Sequence, residues 1–475
     1  MTESLMTVST ASNCSSLDVE ILCGKTHDEL AIRETRALAM DRRLFLAAST
    51  VGGLSAASPA AARTKSPTAP TPINPGIDRA RTQHILGQWG LDAIILARPE
   101  NVYYATGNWP LMSRLGVSDA SFAIIPADSN APIKYVTPQF AYYYATTDAG
   151  LSKGVEPHLV TGHDGGKTAN AFFYQHTGGG ELPAREERRK RKTEAAAPYY
   201  ADSAAALAGA LAKSGVKSGR VGYDSWEAQH LLAASASGAQ GVASPDVIKT
   251  MRLIKTPFEI ELMKAASKAN VAAARKTAMN MRNLGTINNA RNDFNAEASR
   301  LGNTPKFMVV NGAVDEAYDE QFENGTSVLI DCVSSLKGYH GDYGRTIFIG
   351  EPRQAMAAKV RAMGLAWNEL RNRLKPGVRF SDVRSEGALI LKKMGQNINV
   401  PFNPHCVGLA HTEQPTFDYC GTPIDTILEP GMIISVDCPL MEASNLGTAH
   451  LEDLTLITAD GHAPIHDIGN NFILV

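Results

Sequence analysis

The sequence has no Cys-x-x-Cys pair, no apolar run long enough to span a bilayer and almost no net charge. Each absence removes a class of protein. The 6 cysteines lack the spacing of zinc-finger or thioredoxin-type motifs. The apolar stretch Leu46 to Ala57 falls short of the ~20 residues that a transmembrane helix needs, so no stable membrane insertion is expected. Lys and Arg number 46 against 48 Asp and Glu, a net charge of -2 that excludes nucleic acid as a bulk partner. No internal repeat is evident. What remains is an ordinary globular composition, 44% hydrophobic and 20% charged, in 475 residues, enough for two or three domains.

The N-terminal part has the parts of an export leader. Asp41-Arg-Arg-Leu-Phe-Leu46 pairs two arginines with an apolar follow-on, and Ala60-Ala-Ala62 is a small-residue cleavage point. The arrangement resembles a bacterial twin-arginine signal, which implies a periplasmic protein that folds before export. Residues 1–62 are read as leader and signal, with Met40 as an alternative start. Residues 63–76, rich in Pro, Thr and Ser, are read as a disordered linker.

Helices and strands then alternate over residues 77–244, which predicts an α/β first domain. The basic run Arg185-Glu-Glu-Arg-Arg-Lys-Arg-Lys192, flanked by Gly178-Gly-Gly180 and Ala195-Ala-Ala197, is expected to be a solvated surface insertion. A boundary near Ser244-Pro245 opens a second, α+β domain over residues 245–475. There Thr256, Pro257 and Glu259 form the N-cap, first position and capping-box partner of a helix that Gly285 ends. Further helices are expected from Gln354 to Leu374 and from Ser381 to Gly395.

The chemistry concentrates in the second domain. Val328-Leu-Ile-Asp-Cys-Val333 and Gly338-Tyr-His-Gly-Asp-Tyr-Gly-Arg-Thr346 read as strand, turn and strand carrying Asp331 and Asp342. A carboxylate among apolar strand residues needs a counter-charge, because desolvating an ion costs several kcal/mol or more. Arg345 is one source and a metal ion is the other. His405, Asp437 and Glu452 downstream favour the metal, since four carboxylates and one imidazole suit a pair of divalent ions such as Mn, Fe, Co or Zn. Glu452 and Asp453 are neighbours on a strand-like run, so only one of them can face such a site. Cys332, Cys406 and Cys438 each follow a candidate ligand and are expected behind it as small packing residues, with a disulfide left open.

The order and spacing of these residues resemble the creatinase–prolidase–aminopeptidase P family, the pita-bread metallopeptidases. The likeness extends from Ile77 to the C-terminus. It includes Asn101-Val-Tyr-Tyr-Ala-Thr-Gly107 in the first domain and Met251-Arg-Leu-Ile-Lys-Thr-Pro-Phe-Glu-Ile260 at the entry to the second. The resemblance implies a creatinase-like N-terminal domain, a pita-bread catalytic domain and metal ligands Asp331, Asp342, His405, Asp437 and Glu452. It also implies a small-molecule or short-peptide substrate and a homodimer.

Departures from the family pattern fall on the substrate side. The fourth ligand is Asp437 followed by Cys438, where the family has Glu-Pro. Cys406 replaces the glycine after the histidine ligand. The family's second histidine position holds Thr412, with His411 one residue earlier, while Glu413 and Pro415 keep their places. His411 and Glu413 are therefore the candidate proton-handling residues. Asp315 and Tyr318 stand in the segment that normally offers a substrate histidine, and His450 stands where an arginine is common. These three are the candidate substrate contacts. His340 and His466 are expected to be structural, and Tyr103 and Trp109 to pack beside the site or line it. The reading that follows is a metal-dependent hydrolase of the Xaa-Pro type. The alternatives are a same-fold lyase of the dimethylsulfoniopropionate kind, a metal-free creatinase-like enzyme and a non-catalytic binding protein.

Overall fold

The computed structural model describes residues 76–117, 120–162, 180–441 and 447–475. The twin-arginine segment and nearly all of the linker lie outside the described residues.

The first seven strands form one sheet. They are β1 (Ala93–Leu96), β2 (Phe122–Pro126), β3 (Ile133–Pro138), β4 (Val155–Val160), β5 (Tyr199–Tyr200), β6 (Arg220–Tyr223) and β7 (Gln240–Ala243), in the order β5-β4-β3-β2-β1-β6-β7. β1 to β3 form an antiparallel meander, and the outer strands join in parallel. β1 is buried along its whole length because helices cover both faces, so its sequence is a continuous apolar run rather than an alternating one. Those helices include α1 (Arg79–Gln88) and α2 (Pro99–Thr106) together with α4 (Ser203–Lys213) and α5 (Trp226–Ala234), while α3 (Ala184–Glu194) packs on the segment after β3. The expected α/β character is met. The basic run is largely exposed to solvent, as expected. It is helix α3, docked through the buried Arg189, which pairs with Asp148 and Glu186. Arginine can do this because its apolar stem buries readily while its fork keeps both carboxylates.

His158 on β4 is fully buried, stacked on Tyr200 with ring centroids 5.7 Å apart and Nδ1 3.2 Å from the hydroxyl. Burial, and then the charge of Lys134, push the imidazole down from 6.5 to about 4. A histidine with a depressed folded pKa favours the neutral form. Its contribution to stability is full above about 6.5 and is lost as pH falls toward 4. Urea midpoints should therefore decline over that window, and His158→Phe should flatten the decline. An unchanged pH profile in the variant would disprove the assignment.

Helix α6 (Pro245–Leu253) leads into α7 (Pro257–Leu284), the longest helix. Its N-terminus is capped as the sequence predicts: Glu259 N donates to Thr256 Oγ1, and Thr256 N donates to Glu259 Oε2. α8 (Ile287–Arg300) follows. Val271, Ala274, Ala278 and Met281 of α7 share a core with Ile330, Cys332 and Tyr343. Those three residues belong to a sheet ordered β15-β10-β9-β8, made of β8 (Thr304–Val310), β9 (Thr326–Leu336), β10 (Tyr339–Ile349) and β15 (Glu452–Asp453), with the C-terminal β18 (Phe472–Leu474) pairing in parallel with β10. A second sheet runs β11-β12-β16-β17, from β11 (Asn403–Cys406) and β12 (Ile433–Asp437) to β16 (Thr455–Ile457) and β17 (His462–Pro464), and the short β13 (Leu440–Met441) and β14 (Thr448–Ala449) pair with each other. Helices α9 (Gln354–Arg371) and α10 (Phe380–Lys393) close over it through Met363, Trp367, Ile390 and Leu391. Among the described residues no helix is long and apolar enough to cross a membrane.

Candidate metal centre

The β9–β10 hairpin turns at Lys337-Gly338 and pairs Asp331 with Gly344 and Asp342 with Val333. Directly paired residues share a face, and so do residues two apart on one strand. The hairpin thus puts Asp331 and Asp342 on the same side, which is why their spacing of eleven works. The row continues outward, with Val309 opposite Asp331 on one side and Glu452 opposite Gly344 on the other. Gly344 has no side chain for a definite reason: a Cβ there would lie inside the His450 ring and against Glu452.

The second sheet supplies the rest. β11 and β12 pair His405 with Ser435 and Asn403 with Asp437. His405 Nδ1 donates to the His411 carbonyl at 3.1 Å. A carbonyl only accepts, so a neutral His405 carries its proton on Nδ1 and turns a bare Nε2 into the site. That Nε2 stands 3.3 Å from Glu452 Oε1, 3.7 Å from Asp342 Oδ2 and 3.6 Å from Asp437 Oδ2. Ser435 Oγ donates to Glu452 Oε1 at 2.7 Å. Asp453 points the other way, into a buried ion pair with Arg345 (2.6 Å) and a hydrogen bond from Trp367 Nε1. Arg345 therefore serves Asp453 and not Asp331. Cys332, Cys406 and Cys438 are buried free thiols in the packing layers behind the ligands.

The electrostatics of this cluster call for cations. Both oxygens of the fully buried Asp342 and one of Asp331 have no hydrogen-bond partner among the described residues. Burial and then Glu452 push Asp331 up to about 6 and Asp437 to about 8, and raise Asp342 well above the usual carboxylate range. Burial alone would lower His405, but the Glu452 hydrogen bond and the surrounding carboxylates raise it to about 10. The protein by itself meets its surplus of negative charge with protons, and a divalent ion meets it better. The donor atoms fall into two overlapping groups, each within 4.8 Å: Asp342, His405, His411 and Glu452, and then Asp331, His450 and Glu452. Oxygen donors with an imidazole in each group fit divalent ions of the Mn-to-Zn series.

The remaining sequence candidates divide. His411 is at the site, its Nε2 3.4 Å from Asp342 Oδ2 and its ring edge-on to Phe307. His450 is there too, buried, with Nε2 3.1 Å from Glu452 Oε2. Glu413 is not. Its carboxylate is buried between Arg252 and Lys255 (Nζ–Oε2 2.5 Å) and accepts from Leu409 N, so it braces the 405–413 turn against α6. Asp315 uses its carboxylate on the Ala317 N–H, and Tyr318 is exposed. Among the described residues no hydrogen bond or ion pair joins either of them to the cluster, because the loop is held by its carbonyls on Arg291. His340 donates from Nδ1 to Gly408 O, and His466 accepts from Leu454 N, both in structural roles. Tyr103 and Trp109 pack on each other at 5.4 Å, and Trp109 covers Gly338. Sequence reasoning missed Ser435 and Phe307. A period-two reading of β12 back from Asp437 finds the former; no local signal marks the latter.

Fold and site together define a metal-dependent peptide hydrolase of the pita-bread class. Residues 79–254 match the creatinase/prolidase N-terminal domain and residues 261–459 match metallopeptidase family M24. The two matches follow one another in that order along the chain. Among curated proteins it is 26% identical over 262 residues to "Probable dipeptidase PepE" of Mycobacterium tuberculosis, covering 53% of this chain and 69% of the relative. It is 28% identical over 230 residues to the Xaa-Pro dipeptidase of Pyrococcus furiosus, covering 46% and 64%. The prolidase structure from Pyrococcus horikoshii OT3 superposes with a TM-score of 0.59 at 19% identity over 83% of this chain and 99% of that one. The Xaa-Pro dipeptidase structure from Bacillus anthracis gives 0.60 at 18% identity, covering 84% and 100%. At these identities the superpositions establish the fold.

Proposed function

We propose that the protein is a dinuclear metallopeptidase that cleaves short peptides of the Xaa-Pro type, acts in the periplasm after twin-arginine export and works as a homodimer. One observation carries the catalytic part: carboxylates and imidazoles converge around a fully buried Asp342 whose two oxygens have no hydrogen-bond partner among the described residues. The dipeptidase and Xaa-Pro dipeptidase relatives support the substrate class. Asp331, Asp342, His405, Asp437 and Glu452 would hold the ions. Bound divalent ions supply Lewis acidity and an acidified water. The chain's own residues do the rest. Ser435 fixes the Glu452 carboxylate, and the His411 carbonyl fixes the His405 tautomer. His411 Nε2 has no hydrogen-bond partner among the described residues and its side chain is 30% exposed, so it can pass a proton between solvent and a group bound beside Asp342. Phe307 backs its ring and limits rotation. Asp437 reaches His405 and His450 despite being one methylene shorter than the family's glutamate. The retained donors favour a metal-dependent reaction over a metal-free one or a decayed binding site, and the dipeptidase relatives favour hydrolysis over a lyase.

The test is hydrolysis of Xaa-Pro dipeptides by protein loaded with Mn, Co or Zn, with non-proline dipeptides as comparison. Activity should vanish with chelator and return with metal. Protein that binds metal yet cleaves none of these peptides would sink the reading. For export, a folded reporter fused to residues 1–75 should reach the periplasm and stay in the cytoplasm when Arg42 and Arg43 are both changed to Lys; export of the double variant refutes the signal. The exposed Phe417, Tyr419, Ile424 and Ile427 support a subunit contact. Light scattering should give the mass of two chains, and a monomer at all concentrations removes the dimer.

A further inference from the structure

We propose that His450 is itself a metal ligand, supplying the Asp331 side of the centre with an imidazole and making it a mixed nitrogen–oxygen site on both sides. The inference rests on the metal reading above and goes beyond its five ligands. Without His450, all donors of the Asp331–Glu452 group are carboxylates. With it, each side has an imidazole of its own: His405 beside Asp342, and His450 beside Asp331.

Four observations carry the assignment. First, the ring is 3% exposed and its Nε2 lies among carboxylates, 3.1 Å from Glu452 Oε2 and 3.8 Å from Asp437 Oδ1. One of its donor atoms falls within 4.8 Å of those of Asp331 and Glu452. Second, its place is built. His450 N donates to Thr346 Oγ1 and Thr346 Oγ1 donates to the His450 carbonyl, both at 3.0 Å, and Gly344 leaves the space that the ring fills. Third, the nearby arginines are committed elsewhere: Arg345 to Asp453, and Arg275 to Asp467. No lysine or arginine among the described residues forms an ion pair with Asp331, Asp342, Asp437 or Glu452, so the positive charge is left to come from ions. Fourth, a substrate-recognising imidazolium needs an exposed face toward the substrate, and His450 has almost none.

An added imidazole changes which ions the site prefers. Carboxylate sites suit Mn, whereas imidazole favours Fe, Co and Zn. His450→Ala should therefore lower the Zn2+ and Co2+ affinity of one of the two sites by roughly 100-fold, leave the affinity for Mn2+ much less changed, and alter the visible absorption of the Co2+-loaded protein. The measurements are metal content after dialysis, calorimetric titration with each ion and the Co2+ spectrum. His450→Gln, which keeps the shape of the pocket, should show the same selective loss and serves as the reading if the alanine variant fails to fold by circular dichroism. Two ions bound with unchanged affinity and an unchanged Co2+ spectrum in the variant, with KM raised, would make His450 a substrate contact and overturn the inference. Wild-type protein that binds none of these ions would overturn the metal reading itself and this inference with it.

Discussion

Asp342→Ala should give a folded protein that holds at most one divalent ion and cleaves peptide roughly 10^3-fold more slowly. The size follows from losing about 4 kcal/mol of transition-state stabilisation where metal Lewis acidity is worth several. Folding should survive for a specific reason. In the metal-free protein the Asp342 carboxyl is fully buried, without a hydrogen bond among the described residues and close to other carboxylates, so its charged form is disfavoured by burial first and by Glu452 next. Removing it relieves repulsion. The metal-free variant should therefore melt no lower than metal-free wild type, while added metal should stabilise only the wild type strongly. The pair of melting curves, with and without metal, checks this alongside the rate. A variant that retains two ions and the wild-type rate would overturn the ligand assignment.

Glu413→Ala should be among the most destabilising single changes in the chain, for structural rather than chemical reasons. Its carboxylate is 1% exposed, and its partners Arg252 and Lys255 are 4% and 0% exposed. Removing it strands two buried cations, which costs about 3–5 kcal/mol, a large share of the ~5–15 kcal/mol that holds a typical protein folded. Burial alone would raise the Glu413 pKa, but Arg252 and Lys255 outweigh it and hold it below the usual range. Its stabilisation is then present above the unfolded carboxylate value and lost as pH falls through the folded one. Denaturant midpoints check the cost. Glu413→Leu combined with Arg252→Met and Lys255→Met should recover most of it, because apolar replacement of a whole buried ion group is far cheaper than breaking it. If instead Glu413→Gln is as stable as wild type and only its kcat falls, Glu413 handles protons after all.

These two residues show where sequence reasoning reaches and where it stops. Asp342 was legible because its chemistry is local. A carboxylate in a strand of β-formers, eleven residues after another, is a pattern that a hairpin register explains without further structure. The same holds for the helix that Thr256 caps and Gly285 ends, and for the choice between Glu452 and Asp453, which period-two alternation reduces to one. Glu413 departs from its sequence reading because its near neighbour His411 belongs to the site, whereas its own partners Arg252 and Lys255 come from about 160 residues away. Asp315 and Tyr318 were misplaced for a similar reason: Arg291 of α8 takes the loop by its carbonyls, and the side chains are left outside.

The sequence by itself determined the order of the helices and strands and which strands carry the carboxylates, because strand alternation, caps and turns act over a few residues. Only the tertiary structure decided how those donors group. Glu452 faces both His405 and His450 because β15 pairs with β10 opposite Gly344 while the neighbouring sheet brings β11 and β12 against it. Arg345, nearest to Asp331 in sequence, was drawn to Asp453 because the two share the opposite face. Which carboxylate keeps an arginine and which is left for a metal depends on contacts between segments more than a hundred residues apart, and no local pattern encodes them.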